Sequence, residues 1–119
     1  MRRIITGGLI AAATIAVAAG GALAKGDPAR GKATFEQICA PCHGATGKGD
    51  GPASSALNPK PRNFTDTQYM SGLTDDYIMK IVKQGGQAVG KSPMMPAMGA
   101  TLKEADIENV IAYVRSLAK

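Results

Sequence analysis

The stretch Cys39-Ala40-Pro41-Cys42-His43 contains both cysteines and the only histidine of the 119-residue chain. Two thiols three positions apart, followed directly by an imidazole, form the pattern typical of covalent haem attachment. The two thiols can add across the vinyl groups of a haem, and the His43 imidazole can then bind the iron from one side. The sequence therefore predicts one haem c with its iron, held by thioether bonds to Cys39 and Cys42.

Three other kinds of site use a pair of cysteines at this spacing. A thioredoxin-like dithiol would need a parallel β-sheet around it. A structural zinc ion normally takes four Cys or His ligands, whereas this chain has only three such residues. A structural disulfide beside a surface histidine is the third alternative. Covalent haem attachment uses both cysteines and the histidine, and we prefer it.

The first 24 residues have the layout of a secretory signal peptide. A basic start is followed by apolar residues 4–17 and by Ala22-Leu23-Ala24, which matches a small-residue cleavage site. We therefore expect cleavage after Ala24, export to the periplasm, and a mature domain of residues 25–119 that is free of the membrane. The alternative is an uncleaved anchor, since the stretch is nearly long enough to span a bilayer.

The mature domain would be small and only moderately basic. The whole chain has a net charge of +5, and removal of Arg2 and Arg3 leaves 12 of its 14 basic residues against 9 acidic ones, a net charge of +3. The lysines are scattered and aromatic residues make up only 4% of the chain, so we do not expect nucleic-acid binding. A domain of this size buries little surface by itself, and a buried macrocycle would complete its core.

Helical periodicity predicts an all-α domain of three or four helices, with no strands and no repeats. Asp27 and Thr74 are suitable N-caps, and Pro28 suits the first helical position. Long loops rich in Gly and Pro separate the helices. The predicted helices cover residues 27–38, 74–84 and 103–117, and the loops cover residues 44–66 and 87–102.

The second axial ligand of the iron must be a methionine, or be missing, because the chain has no second histidine. Met70 and Met79 lie in or near the middle helix, where a methionine usually fills the core. A methionine in a proline-flanked loop is better placed to reach over a ring. The loop around Pro93 and Pro96 offers three candidates, and their residue type alone does not separate them: Met94, Met95 and Met98.

Taken together, these motifs resemble the class I c-type cytochromes, which are small single-haem electron carriers of the bacterial periplasm. The resemblance covers residues 25–119. It rests on the cysteine–histidine motif behind an amphipathic helix, on the Met-Pro loop, and on Val110-Ile111-Ala112-Tyr113-Val114 in the last helix. It implies the cytochrome c fold, in which helices and long loops surround one covalently bound haem.

The resemblance also implies which methionine binds the iron. In the family, the ligand directly precedes proline in a Met-Pro-Ala-aromatic-Gly run. Met95-Pro96-Ala97-Met98-Gly99 matches this run, with Met98 in place of the aromatic residue. Met95 is therefore the expected ligand, followed by Met98 and then Met94.

Residues elsewhere in the chain match the packing positions of the family. Gly31 and Phe35 resemble the glycine and the aromatic residue at which the first helix crosses the last one, beside Tyr113. Lys103 stands where these proteins usually carry a Ser, Thr or Asp helix cap, and the sequence shows no obvious substitute.

Two further residues match positions around the haem. Pro52 resembles the proline whose carbonyl accepts the second ring N–H of the ligand histidine, a bond that fixes the tautomer. Arg62 lies in a run resembling the segment that covers a haem edge, where a guanidinium can pair with a propionate.

The expected function is single-electron transfer by a monomer and not enzymatic catalysis. Periplasmic redox proteins would dock briefly at the exposed haem edge, steered by scattered lysines. The alternatives are a haem subunit held in a dehydrogenase or oxidase complex, and a peroxidase-like or ligand-sensing protein with an open sixth position. The lysines proposed for steering are Lys48, Lys60, Lys83 and Lys91.

Overall fold

The computed structural model describes residues 25–119, together with Gly8 and Ala13 as isolated positions, so the predicted signal peptide and its cleavage site otherwise lie outside the described residues. Residues 25–119 are helical and contain no strand, which confirms the all-α prediction. No helix in this part of the chain has both the length and the apolar character to cross a bilayer. The α-helices are α1 (Pro28–Thr34), α2 (Ala40–His43), α3 (Thr67–Ser71), α4 (Asp75–Gln84) and α5 (Glu104–Leu117), and Pro52–Ala56 and Gly86–Val89 form 3₁₀ turns.

One continuous helix leads into the cysteine motif. It begins as predicted, because the Asp27 carboxylate accepts a hydrogen bond from the Ala29 N–H at 2.9 Å and Pro28 follows the cap. Between α1 and α2 the helix widens to a π-helical segment, Phe35–Cys39. Such single π turns occur often at functional sites, and here the turn ends on the first cysteine.

The first helix crosses α5 at Gly31, as the sequence predicts. A Cβ atom at this position would lie 1.8 Å from the Asn109 carbonyl oxygen, so only glycine allows this approach. The Phe35 ring meets the Tyr113 ring edge to face, with centroids 5.2 Å apart. In addition, the Asp27 N–H donates to Asn109 Oδ1 at 2.8 Å, which joins the start of α1 to α5.

The apolar core lies where α5 meets the first helix, α3 and α4. Met70 is 1% exposed, which confirms its predicted role as core filling, and Met79 is half-buried against the same core. The buried core residues are Phe35, Met70, Ile78, Val82, Ile107, Val110, Ile111 and Val114.

Two features of the fold differ from the sequence prediction. Helix α3 was not expected, and it begins where the Asp66 carboxylate accepts a hydrogen bond from the Tyr69 N–H at 3.1 Å. At the start of α5, the Asp106 carboxylate accepts the Lys103 N–H at 3.1 Å. Asp106 therefore supplies half of a capping box, a substitute for the missing cap that the sequence analysis did not find.

Candidate haem-binding site

A large cavity of about 810 Å³ lies against the cysteine motif and the methionine loop. Its volume falls in the range of about 300–1,000 Å³ that is typical of small-molecule sites. Most of the side chains that line it are apolar, and Cys39, Cys42 and His43 contribute to the wall. The loop that follows α4 contributes the three methionines that were predicted as candidate ligands: Met94, Met95 and Met98.

His43 has the properties of a metal-binding imidazole. Burial lowers its pKa to about 4, so the ring is neutral near pH 7 and keeps a free nitrogen lone pair. The ring stacks on Phe64, with centroids 4.7 Å apart and an angle of 20° between the planes. Its Nδ1 atom is buried and has no hydrogen-bond partner among the described residues.

The predicted hydrogen bond from His43 to the Pro52 carbonyl is not formed in the structure. The segment that carries Pro52 does pack against the motif, because the Gly51 N–H donates to the Cys42 carbonyl at 3.2 Å. A Cβ atom on Gly51 would lie 2.4 Å from the Pro41 carbonyl oxygen, so this glycine allows the close approach. The role of Pro52 as the acceptor stays a prediction.

The two cysteines are free and half-buried. Burial, with a smaller effect of the neighbouring Cys42, raises the pKa of the Cys39 thiol to about 11. A redox dithiol needs the opposite shift, because its attacking sulfur must be a thiolate. No three His, Cys, Asp or Glu side chains in the described part of the chain are arranged to hold a metal ion. A thioredoxin-like dithiol would also need a parallel sheet around it, and residues 25–119 contain no strand.

The backbone of the methionine loop is fixed to the end of α4. Met98 and Gly99 donate their N–H groups to the carbonyls of Val82 and Lys83, at 2.8 and 3.1 Å. These carbonyls belong to the last turn of α4, where intrahelical donors run out. Gly85, with φ of +84°, ends the helix and turns the chain toward the loop. The loop is therefore an ordered wall of the large cavity.

The side chains of the three methionines differ in burial. Met95 and Met98 are half-buried and pack against the apolar core, whereas Met94 is 63% exposed. A buried thioether loses less freedom when it binds a metal than an exposed one does. Burial thus agrees with the expected order in placing Met94 last, and it does not separate Met95 from Met98.

Cationic side chains occupy part of the cavity wall. Arg62 lines it, and its guanidinium lies 4.7 Å above the Tyr69 ring. Lys60 and Lys91 also line it, whereas Lys83 is held by Glu104 at 2.9 Å and does not. The fourth predicted steering residue, Lys48, is exposed and lies outside the wall.

Arg115 supports the cavity wall in a way that sequence reasoning missed. Its guanidinium donates hydrogen bonds to the Met70 and Leu73 carbonyls and to the Asp75 carboxylate. Met70 and Leu73 both line the large cavity. The only sequence signal was the position of an arginine beside the apolar stripe of α5.

These observations fit a covalently held haem. The cavity is apolar and of suitable size, two free thiols lie on its wall, and the neutral His43 imidazole lines it beside them. Cys39 and Cys42 would hold the group by thioether bonds and His43 would bind the iron, while the methionine loop offers thioether sulfurs for the remaining position.

Comparisons with known proteins agree with this assignment. The chain is 39% identical over 93 residues to FixP, a cbb3-type cytochrome c oxidase subunit of Azorhizobium caulinodans, in a match that covers 76% of this chain and only 29% of FixP. It is 32% identical over 94 residues to cytochrome c-554(547) of Halothiobacillus neapolitanus, covering 77% of this chain and 98% of that protein.

The fold and the family follow from two further matches. The solved KustC0563 c-type cytochrome has a TM-score of 0.63 at 22% identity, covering 75% of this chain and 98% of the other, and shares the fold. The cytochrome c family profile matches residues 28–118. The chain therefore belongs to the cytochrome c family, whose members bind covalently attached haem c with its iron, and is a small c-type cytochrome.

Proposed function

We propose that this protein is a periplasmic electron carrier, which moves single electrons between redox proteins through one haem c. Cys39 and Cys42 hold the haem, and His43 and Met95 bind its iron. The mature protein is a monomer of residues 25–119, which remains after the signal peptide is cleaved after Ala24. The observation that carries this proposal is the large apolar cavity that the cysteine motif and the methionine loop line together.

When bound, the haem supplies a one-electron couple between Fe(II) and Fe(III). The His43 imidazole and the Met95 thioether as iron ligands would favour Fe(II) more than two imidazoles would. With the haem bound, the Pro52 carbonyl would accept the Nδ1 proton of His43 and fix its tautomer, and Arg62 would pair with a propionate. The apolar wall keeps water out, and the anchored methionine loop keeps the sulfur in place.

A second candidate is a haem subunit of an oxidase-type complex. The observation that favours it is the 39% identity to FixP, although the chain spans less than a third of that protein. Size-exclusion chromatography of a native extract separates the two candidates. A free carrier elutes near the mass of the single chain, whereas a subunit elutes with its complex.

The test of the first candidate is a redox-titrated absorption spectrum of the protein, purified from a host that attaches haem c. We expect a low-spin, six-coordinate haem, a thioether-to-iron charge-transfer band in the oxidised protein, and a pyridine spectrum of thioether-linked haem. High-spin iron in both oxidation states, or rapid carbon monoxide binding to the reduced protein, would favour a peroxidase-like or sensing protein. A colourless product would remove the haem assignment altogether.

A further inference from the structure

One arginine of α5 holds together the turn between α3 and α4. Arg115 Nη1 donates to the Met70 carbonyl at 2.6 Å, and Nη2 donates to the Leu73 carbonyl. Its Nε atom donates to Asp75 Oδ1 at 2.9 Å, at the first residue of α4. The Arg115 side chain is only 30% exposed. A single planar group thus reaches three acceptors over a span of six residues.

Among the described residues, the Leu73 carbonyl has Arg115 as its only hydrogen-bond donor, whereas the Met70 carbonyl also accepts the Leu73 N–H at 3.1 Å. Both carbonyls lie at the C-terminal end of α3, where intrahelical donors run out. Two residues of this segment also line the large cavity. Met70 is 1% exposed and Leu73 is half-buried. The position of that wall is therefore tied to the guanidinium.

We propose that Arg115 is a positioning residue that sets the redox potential of the haem by holding Met70 and Leu73 against it. This inference rests on the proposed function. Without the guanidinium, the partly buried Leu73 carbonyl must find water, because a carbonyl left without a donor away from bulk solvent is costly. Water then enters the turn next to the cavity, and the more polar surroundings favour Fe(III) over Fe(II) and lower the potential.

The test compares two charge-conserving variants of the full chain carrying its haem, Arg115→Lys and Arg30→Lys. A lysine keeps the positive charge but lacks the planar fork that reaches separate acceptors. Arg30 is the matched control, because its side chain is 81% exposed and its one ion pair among the described residues is with Asp27, at 3.7 Å. The measurements are the midpoint potential, the thioether-to-iron charge-transfer band, and amide hydrogen exchange over residues 69–75.

We expect Arg115→Lys to lower the midpoint potential and to speed amide exchange over residues 69–75, while the charge-transfer band remains. Arg30→Lys should change none of the three. Arg115→Leu should lower the midpoint potential further. If that variant does not fold, the comparison of Arg115→Lys with Arg30→Lys still decides the question.

An unchanged potential in Arg115→Lys, an equal change in Arg30→Lys, or a lower potential without faster exchange would overturn the inference. A failure of the proposed function looks different, because the unmodified protein would then lack the charge-transfer band.

Discussion

At the scale of single residues, Gly31 and the methionines show two ways in which one residue determines the site. Gly31 determines how closely the helix that carries the cysteine motif approaches α5, because a Cβ atom there would overlap the Asn109 carbonyl. The methionines determine which sulfur reaches the iron. The helix approach at Gly31 affects the free energy of unfolding. The choice of methionine affects the absorption spectrum and the midpoint potential, so the two effects can be measured separately.

Gly31→Ala should destabilise the haem-bearing protein by about 1–3 kcal/mol, because the added methyl group forces α1 and α5 apart. Urea unfolding followed by circular dichroism measures this change. Gly72→Ala is the matched control, since a Cβ there would meet only the Tyr69 carbonyl oxygen, at an ordinary contact distance of 3.4 Å. Equal stabilities of the two variants would mean that the helix crossing tolerates a side chain.

Met95→Ala should remove the charge-transfer band, lower the midpoint potential and allow carbon monoxide to bind the reduced iron, because the thioether that favours Fe(II) is lost. Met94→Ala should leave the band in place, since the Met94 side chain is 63% exposed. Absorption spectra of both variants in each oxidation state measure this. If Met94→Ala alone loses the band, Met94 and not Met95 binds the iron. Met98→Ala tests the remaining candidate.

At the scale of elements, the helix termini show which features could be predicted from the sequence. Asp27 and Thr74 were identified as caps, and both side chains accept the expected backbone hydrogen bonds. These two caps precede helices whose apolar residues recur at a helical period, and α5 was predicted from the same period. In these helices the local sequence pattern and the tertiary structure agree, so the sequence alone is sufficient to predict them.

Other features depend on contacts that no local pattern contains. Helix α3 spans only Thr67–Ser71, too short for an apolar stripe, and its single signal was Asp66 as a potential cap. The role of Arg115 depends on carbonyls 42 and 45 residues earlier in the chain. Each of these requires the folded structure.

Lys103→Ser should stabilise the protein by about 0.5–1 kcal/mol, because it completes the capping box at the start of α5. Asp106 already accepts the backbone N–H of residue 103, and that residue has the extended conformation of an N-cap. A serine hydroxyl would in turn accept the N–H of Asp106. Guanidinium unfolding measures the gain, and Lys103→Ala, which offers no acceptor, should not show it.

At the scale of the whole molecule, opposite charges line different depressions of the surface. The large cavity is lined by Lys60, Arg62 and Lys91, and none of the described residues that line it is acidic. A separate, smaller depression is lined by four carboxylates and one lysine: Asp75, Asp76, Glu104, Glu108 and Lys25. Anionic partners should therefore be drawn toward the large cavity, where the proposed haem would exchange its electron.

Lys60→Gln and Lys91→Gln should each slow electron transfer to a small anionic oxidant such as ferricyanide by about 2-fold at low ionic strength, because each removes a positive charge from the edge of the cavity. Stopped-flow absorption measures the second-order rate constants. Lys80→Gln is the matched control, since the substitution of this exposed lysine of α4 makes the same change in net charge and Lys80 does not line the cavity.

The differences between the rate constants of these variants should disappear in about 1 M salt, where the screening length falls to about 3 Å. If all three variants slow the reaction equally, net charge and not the position of these lysines controls the approach. If the effect persists in high salt with unchanged midpoint potentials, the lysines act by direct contact and not by long-range attraction.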